Sequence, residues 1–107
     1  MEVKEWLAYT SKEILDAREK DKVLQITRRE LECNDGLTLS VQASEFHFCA
    51  PKEVCETYES VEIYTHGDVL LELEELDYEM EDSVYKYVGI DALEYLVAVH
   101  GGMKEIV

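Results

Sequence analysis

The sequence has little that would divide it into parts or carry it across a membrane. Its 107 residues include one proline and no Ser/Gly-rich linker, so we expect a single domain over residues 1–107. No apolar run approaches the roughly 18 residues that a bilayer-spanning helix needs. The charged N-terminus, residues 1–5, lacks the apolar stretch of a signal peptide. We therefore expect a cytoplasmic protein that does not bind membranes.

Basic residues are scarce, and one long stretch has none. The chain contains 25 Asp and Glu against 10 Lys and Arg, for a net charge of −15. Residues 1–55 hold 11 acids and 8 bases, a net of −3, whereas residues 56–107 hold 14 acids and 2 bases, a net of −12. Between Lys52 and Lys86 there are twelve acids and no lysine or arginine. Such a field repels phosphate backbones and attracts basic surfaces, so direct binding of nucleic acid is disfavoured.

The sequence also lacks the spacings that mark metal and catalytic sites. The three cysteines are Cys33, Cys49 and Cys55, and His47 is the histidine nearest to them in the sequence. Their spacing lacks the C-x2-4-C pair of a zinc knuckle. In a reducing compartment they are most simply free thiols, some of them buried. A nucleophilic cysteine needs nearby positive charge to lower its thiol pKa, and the field here is negative. No G-x-S-x-G motif is present. We therefore expect no metal, no cofactor and no enzymatic activity.

The clearest local pattern is a hairpin around Asn34-Asp35-Gly36. Residues 37–44 alternate strictly, with one apolar face formed by Leu37, Leu39, Val41 and Ala43. A two-residue turn would mix buried and exposed faces, whereas a three-residue loop keeps the apolar residues together. The loop predicts three cross-strand pairs: Cys33 with Leu37, Leu31 with Leu39, and Arg29 with Val41. Gly36 then takes the left-handed position of the bulge.

Helices are predicted at both ends of the chain. Residues 11–20 have helical spacing, and Thr10 with Glu13 has the spacing of a capping box. The upstream residues also fit a helical face, so the pattern allows either one helix over about 2–20 or two short helices that meet at Thr10. At the other end, Asp91 is the predicted N-cap and Glu94 completes its capping box. An apolar stripe follows, and Gly101 ends this helix.

The remaining elements are strands and the acidic segment, residues 69–82. Residues 58–65 are predicted to form a strand with Val61 and Ile63 inward. Residues 84–90 are predicted to form another, with Tyr85 and Tyr87 on the face opposite Val84, Val88 and Ile90. The acidic segment fits either a helical stripe or a strand with a bulge; we favour a short helix at about 69–75 that runs into an extended stretch. The fold class is therefore α+β, an antiparallel sheet of about four strands with an N-terminal and a C-terminal helix on one face.

The carboxylates of this region are the candidate partner-binding residues. If the two tyrosines are exposed, acid and aromatic side chains together suit an interface with a basic protein. Extended at about 3.3 Å per residue, residues 72–82 would span about 33 Å. They carry seven carboxylates, against about ten phosphates on one DNA strand of that length; a helix would span only about 15 Å. The candidate residues are Asp68, Glu72, Glu74, Glu75, Asp77, Glu79, Glu81, Asp82, Tyr85 and Tyr87.

Several strings in the chain carry a family resemblance. The run D-G-x-T-x-S-V-Q-A-S at residues 35–44 is followed by His47-Phe48-Cys49-Ala50-Pro51, by Val84-Tyr85-Lys86-Tyr87-Val88 and by His100-Gly101-Gly102. Over roughly residues 29–103 this pattern resembles a family of small acidic phage and prophage proteins of unassigned function. The chain departs from that family at Lys86, where members have glycine, and at Gly89, where they have proline. The resemblance implies phage origin and supplies no catalytic residue.

These observations lead to two functional expectations. Small acidic phage proteins include inhibitors of host nucleic-acid enzymes, among them anti-CRISPR proteins. The first expectation is a phage-encoded inhibitor of this type, an acidic nucleic-acid mimic in the host cytoplasm that occupies a basic groove on a defence protein such as a CRISPR effector nuclease. The alternative is a non-enzymatic interaction or structural module whose acidic face is only solvated, and which binds through Trp6, the tyrosines or the exposed hairpin face. In either case we expect a monomer or a weak dimer formed through residues 1–50.

Overall fold

The computed structural model describes residues 1–106, which form three helices and a five-stranded antiparallel sheet. The helices are α1 (Val3–Asp21), α2 (Leu71–Glu75) and α3 (Ile90–Val99). The strands are β1 (Leu31–Glu32), β2 (Thr38–Gln42), β3 (Ser60–Tyr64), β4 (Met80–Glu81) and β5 (Val84–Gly89), in the spatial order β1-β2-β3-β5-β4. The α+β prediction is confirmed, with five strands rather than about four. The additional strand, β4, is a two-residue strand within the acidic segment.

The N-terminal residues form one continuous helix. Glu2 and Glu5 make the capping box of α1, each side chain accepting a backbone N–H of the other residue. Thr10 lies in the middle of the helix, where its hydroxyl donates to the Trp6 carbonyl at 2.8 Å and is fully buried. The capping box predicted at Thr10 and Glu13 is therefore wrong. A threonine hydroxyl can bond to the carbonyl one turn back as well as to an N–H ahead of it, and the sequence spacing does not distinguish the two.

The first hairpin has the predicted register. Leu31 pairs with Leu39, the Cys33 N–H donates to the Leu37 carbonyl at 2.8 Å, and Gly36 has φ +100°. The predicted pair of Arg29 with Val41 is wrong, because regular pairing of β1 with β2 begins only at Leu31. Upstream of it, Arg28 is the buried residue and Arg29 is exposed.

One hydrophobic core lies between the sheet and the helices. Trp6 and Leu7 of α1, Leu73 of α2 and several residues of α3 pack with one face of the sheet in a single cluster, to which the strands contribute Leu39, Val41, Val61, Ile63 and Val88. Trp6 is 1 % exposed, so it is not available as a binding residue. No helix within residues 1–106 is both long and apolar enough to cross a bilayer.

A bulge in β5 separates the two tyrosines. Tyr85 pairs with Ile63 and Val88 pairs with Val61, so two residues of β5 lie opposite Glu62 alone. Tyr85 is consequently fully buried and Tyr87 is 47 % exposed. The prediction that Tyr85 and Tyr87 share a face opposite Val88 is therefore wrong, because Tyr85 lies in the core with Val88. The bulge depends on a contact distant in sequence: Tyr87 has φ +52°, and its N–H donates to the Phe48 carbonyl at 3.1 Å.

Helix α3 begins earlier than its capping pattern predicts. Gly89 is the N-cap residue and Ile90 the first helical residue, so Ile90 is not part of β5. Asp91 lies in the first turn, where its Oδ1 accepts the Ala92 N–H at 2.9 Å; the predicted N-cap role is wrong. The C-terminal end is as predicted, with Gly101 at φ +86°.

Candidate binding surface

The acidic segment folds into a helix, a turn and a hairpin. The predicted short helix is confirmed as α2, and β4 then pairs with β5. Asp77 follows α2 with φ +68°, while Asp82 and Ser83 both have positive φ between β4 and β5, as in a type I′ hairpin turn. Aspartate tolerates this left-handed region better than most residues. Because α2 and the turn at Asp77 interrupt the segment, residues 72–82 do not form the single extended line of charge considered above.

Six of the eight predicted carboxylates are exposed. They come from the turn after β3, from the end of α2 and from the β4–β5 hairpin: Asp68, Glu75, Asp77, Glu79, Glu81 and Asp82. Within the described residues of this region, the one lysine is Lys86, whose Nζ lies 3.5 Å from Glu81 Oε2. The group formed by these six carboxylates is called the acidic edge below. It presents negative charge with a single neighbouring counter-charge.

The other two carboxylates, Glu72 and Glu74, are partly buried and hold α2 in place. Glu72 Oε1 lies 2.8 Å from His100 Nε2, at the end of α3. Glu74 Oε1 accepts a hydrogen bond from the Tyr85 hydroxyl at 3.1 Å, and the same hydroxyl accepts the Leu70 N–H at 3.0 Å. Burial, with the Glu74 carboxylate, raises the pKa of Tyr85. Glu72, Glu74 and Tyr85 therefore attach α2 to α3 and β5.

Tyr87 lies among aromatic and basic side chains on the open face of the sheet. Its ring makes an edge contact with Phe48, with 6.1 Å between the centroids. Lys86 Nζ lies 4.4 Å from the centre of the Phe48 ring, and Lys52 Nζ lies 5.5 Å from it. We call Phe48, Lys52, Lys86 and Tyr87 the open-face cluster. Sequence reasoning missed Phe48 and Lys52 because they reach β5 from the loop after β2, and no local spacing signals that contact.

Two of the three cysteines are buried, and His47 lies beside a buried serine. Cys33 and Cys49 are buried and Cys55 is partly exposed, all as free thiols. Burial raises the pKa of Cys33 to about 11 and also raises that of Cys49, so these two buried thiols stay protonated at neutral pH. His47 Nδ1 lies 2.7 Å from Ser44 Oγ, but Ser44 is fully buried and its oxygen also accepts the Phe46 N–H. Within residues 1–106, no three His, Cys, Asp or Glu side chains come together as metal ligands.

Comparison of the chain with protein-family models, curated proteins and solved structures finds no match. The resemblance to phage proteins therefore stays a prediction.

Proposed function

We propose that this protein is a non-enzymatic inhibitor that docks its acidic edge on a basic surface of a nucleic-acid-binding protein in the host cytoplasm. A host defence nuclease of the CRISPR effector type is the partner class that the phage resemblance implies. The observation that carries the proposal is the exposure of six carboxylates beside one lysine, at residues that a folded scaffold holds in place. Complementary charge speeds association and favours basic partners over others.

The proposed mimicry concerns the sign and strength of the field, not a copied phosphate spacing. The carboxylates project from a helix end, a turn and a hairpin, so they do not follow one extended strand. Such a surface competes with nucleic acid for lysine and arginine side chains without reproducing the geometry of a strand.

The proposal is tested with two variants of equal net charge. One carries Glu75→Gln, Asp77→Asn, Glu79→Gln and Asp82→Asn on the acidic edge. The control carries Glu19→Gln, Asp21→Asn, Glu30→Gln and Glu32→Gln, which neutralises four exposed carboxylates elsewhere. Target DNA cleavage by candidate CRISPR effectors is measured with each protein, and binding is measured at low and high salt. Loss of inhibition in the first variant alone supports the proposal; equal inhibition by both folded variants refutes it.

The open-face cluster favours a second candidate function, an interaction module that binds through aromatic residues. Phe48 and Tyr87 are 39 % and 47 % exposed on the face of the sheet opposite the core. Binding through these rings would change little with salt, whereas binding through the acidic edge weakens steeply. This function would be favoured if a Phe48→Ser, Tyr87→Ser variant no longer binds a partner at high salt, while the acidic-edge variant still binds it.

A further inference from the structure

Helix α3 has an apolar outer face that nothing in the described chain covers. Eight of its ten residues are apolar. Its inner face is buried by Ile90, Leu93, Leu96 and Val97, yet Tyr95 and Val99 on the outer face are 44 % and 51 % exposed. A surface helix ordinarily turns polar residues to solvent, and a helix that is apolar on both faces is usually covered on both.

Residues of α2 extend this apolar surface. Leu76, at the end of α2, lines a depression of about 380 Å³ together with Tyr78, Asp91, Ala92 and Tyr95. Leu76 is 44 % exposed and Leu71, one residue before Glu72, is 68 % exposed. Leu76, Tyr95 and Val99 form what we call the α2–α3 strip. Because Tyr95 and Val99 are four residues apart, they lie one above the other on the helix, as the anchors of a groove for another helix would.

Four exposed carboxylates lie around the α2–α3 strip. Glu75 and Asp77 are exposed beside Leu76, and Asp91 and Glu94 are exposed on the first turns of α3. Apolar anchors between carboxylates match a helix that has leucine-like residues on one side and lysine or arginine beside them. A second copy of this chain matches poorly, because it would bring the same carboxylates together.

We propose that the α2–α3 strip binds a basic amphipathic helix of the partner protein. This inference rests on the proposed function and specifies the partner's chemistry: apolar residues at helical spacing fill the depression beside Tyr95, and flanking cations meet Glu75, Asp77, Asp91 and Glu94. The acidic edge attracts the basic partner over long range. The α2–α3 strip makes contacts that require the partner helix to carry its apolar residues on one face.

The test uses two synthetic 18-residue peptides of identical Leu and Lys composition. One places leucine on a single helical face, and the other has the same residues scrambled. Affinities are measured by fluorescence anisotropy at physiological salt. We expect the amphipathic peptide to bind at least tenfold more tightly than the scrambled one. Tyr95→Ser with Leu76→Ser should remove that preference, whereas the control Leu15→Ser, at a leucine 45 % exposed on α1, should retain it. Circular dichroism melts establish that each variant is folded.

The outcomes separate this inference from the proposed function. Equal binding of both peptides, with loss of both in the acidic-edge variant, overturns the helix proposal and leaves acidic docking in place. Binding of neither peptide also overturns the helix proposal, whereas acidic docking is decided separately by the nuclease assay with the variant neutralised at Glu75, Asp77, Glu79 and Asp82. Sedimentation equilibrium of the protein alone should show a monomer; a dimer that Tyr95→Ser abolishes would assign the strip to a second copy and overturn the proposal.

Discussion

His100 connects the end of α3 to Glu72 of α2, with 2.8 Å between its Nε2 and Glu72 Oε1. The opposite ring nitrogen, Nδ1, lies 2.6 Å from an Asp35 carboxylate oxygen in the turn of the first hairpin. Only the imidazolium form donates from both nitrogens. The hydrogen bond to Asp35, supported by the one to Glu72, raises the pKa of His100. A single side chain thus joins three elements of the fold.

Replacing His100 with glutamine should destabilise the protein in a pH-dependent way. Because the folded pKa lies above the unfolded one, the contribution of His100 is fully present below the unfolded pKa and is lost as pH rises through the folded value. We expect the melting temperature of His100→Gln to fall below that of the wild type at pH 5.5 and to approach it at pH 8.5. Thermal melts across this range measure the difference, and a difference that is constant with pH would contradict the assignment.

Replacing Arg28 with methionine should cost several kcal/mol of stability. The Arg28 guanidinium is 4 % exposed and has no carboxylate partner; it donates to Thr10 Oγ1 at 2.7 Å and to the Ala43 carbonyl at 2.8 Å. Each lost hydrogen bond to a charged group costs about 1.5–3 kcal/mol, so we expect a loss of about 3 kcal/mol in urea unfolding. Arg29→Met is the control. It breaks an exposed ion pair with Glu13, worth less than about 1 kcal/mol, and equal losses in the two variants would refute the buried role.

Removing the hydroxyl of Tyr85 should destabilise the fold, whereas the same change at Tyr87 should not. Tyr85→Phe leaves the Leu70 N–H and the Glu74 carboxylate without their shared partner, at a cost of about 1–3 kcal/mol. The Tyr87 side chain lies in the open-face cluster, and Tyr87→Phe keeps its ring contact with Phe48. Chemical unfolding of the two variants provides the comparison. A larger loss of unfolding free energy for Tyr87→Phe than for Tyr85→Phe would contradict the assignment of Tyr85 to the core.

Salt should stabilise the wild type more than the acidic-edge variant. Repulsion among exposed carboxylates of one sign opposes the compact state, and screening reduces it. We expect the melting temperature of the wild type to rise between 20 mM and 500 mM sodium chloride, with a clearly smaller rise for the variant neutralised at Glu75, Asp77, Glu79 and Asp82. The control neutralised at Glu19, Asp21, Glu30 and Glu32 should respond almost as the wild type does. Identical responses in all three would show that the carboxylates are too dispersed to repel one another.

Local patterns predicted the elements that short-range geometry determines. Strict alternation and a three-residue loop identified the Leu31–Leu39 register, because a slip of one residue would turn a whole strand over. Strict alternation gave the wrong face for Tyr85, because a bulge interrupts β5. At that bulge the Tyr87 N–H donates to the Phe48 carbonyl, which is far away in sequence. The contacts of His100 were equally hidden, because Asp35 and Glu72 lie 65 and 28 residues away. Glu72 and Glu74 were predicted on the acidic surface but are partly buried, because they contact His100 and Tyr85 of other elements.

The attachment of α2 by His100 and Tyr85 has a consequence for the kinetics of recognition. A disordered acidic tail would lose conformational entropy when it meets a partner, and that loss would weaken binding. Here the helix is held before any encounter, so most of the ordering has already taken place during folding. Under the proposed function, a partner should therefore meet the acidic edge at a rate governed by diffusion and electrostatic steering, with little delay for rearrangement.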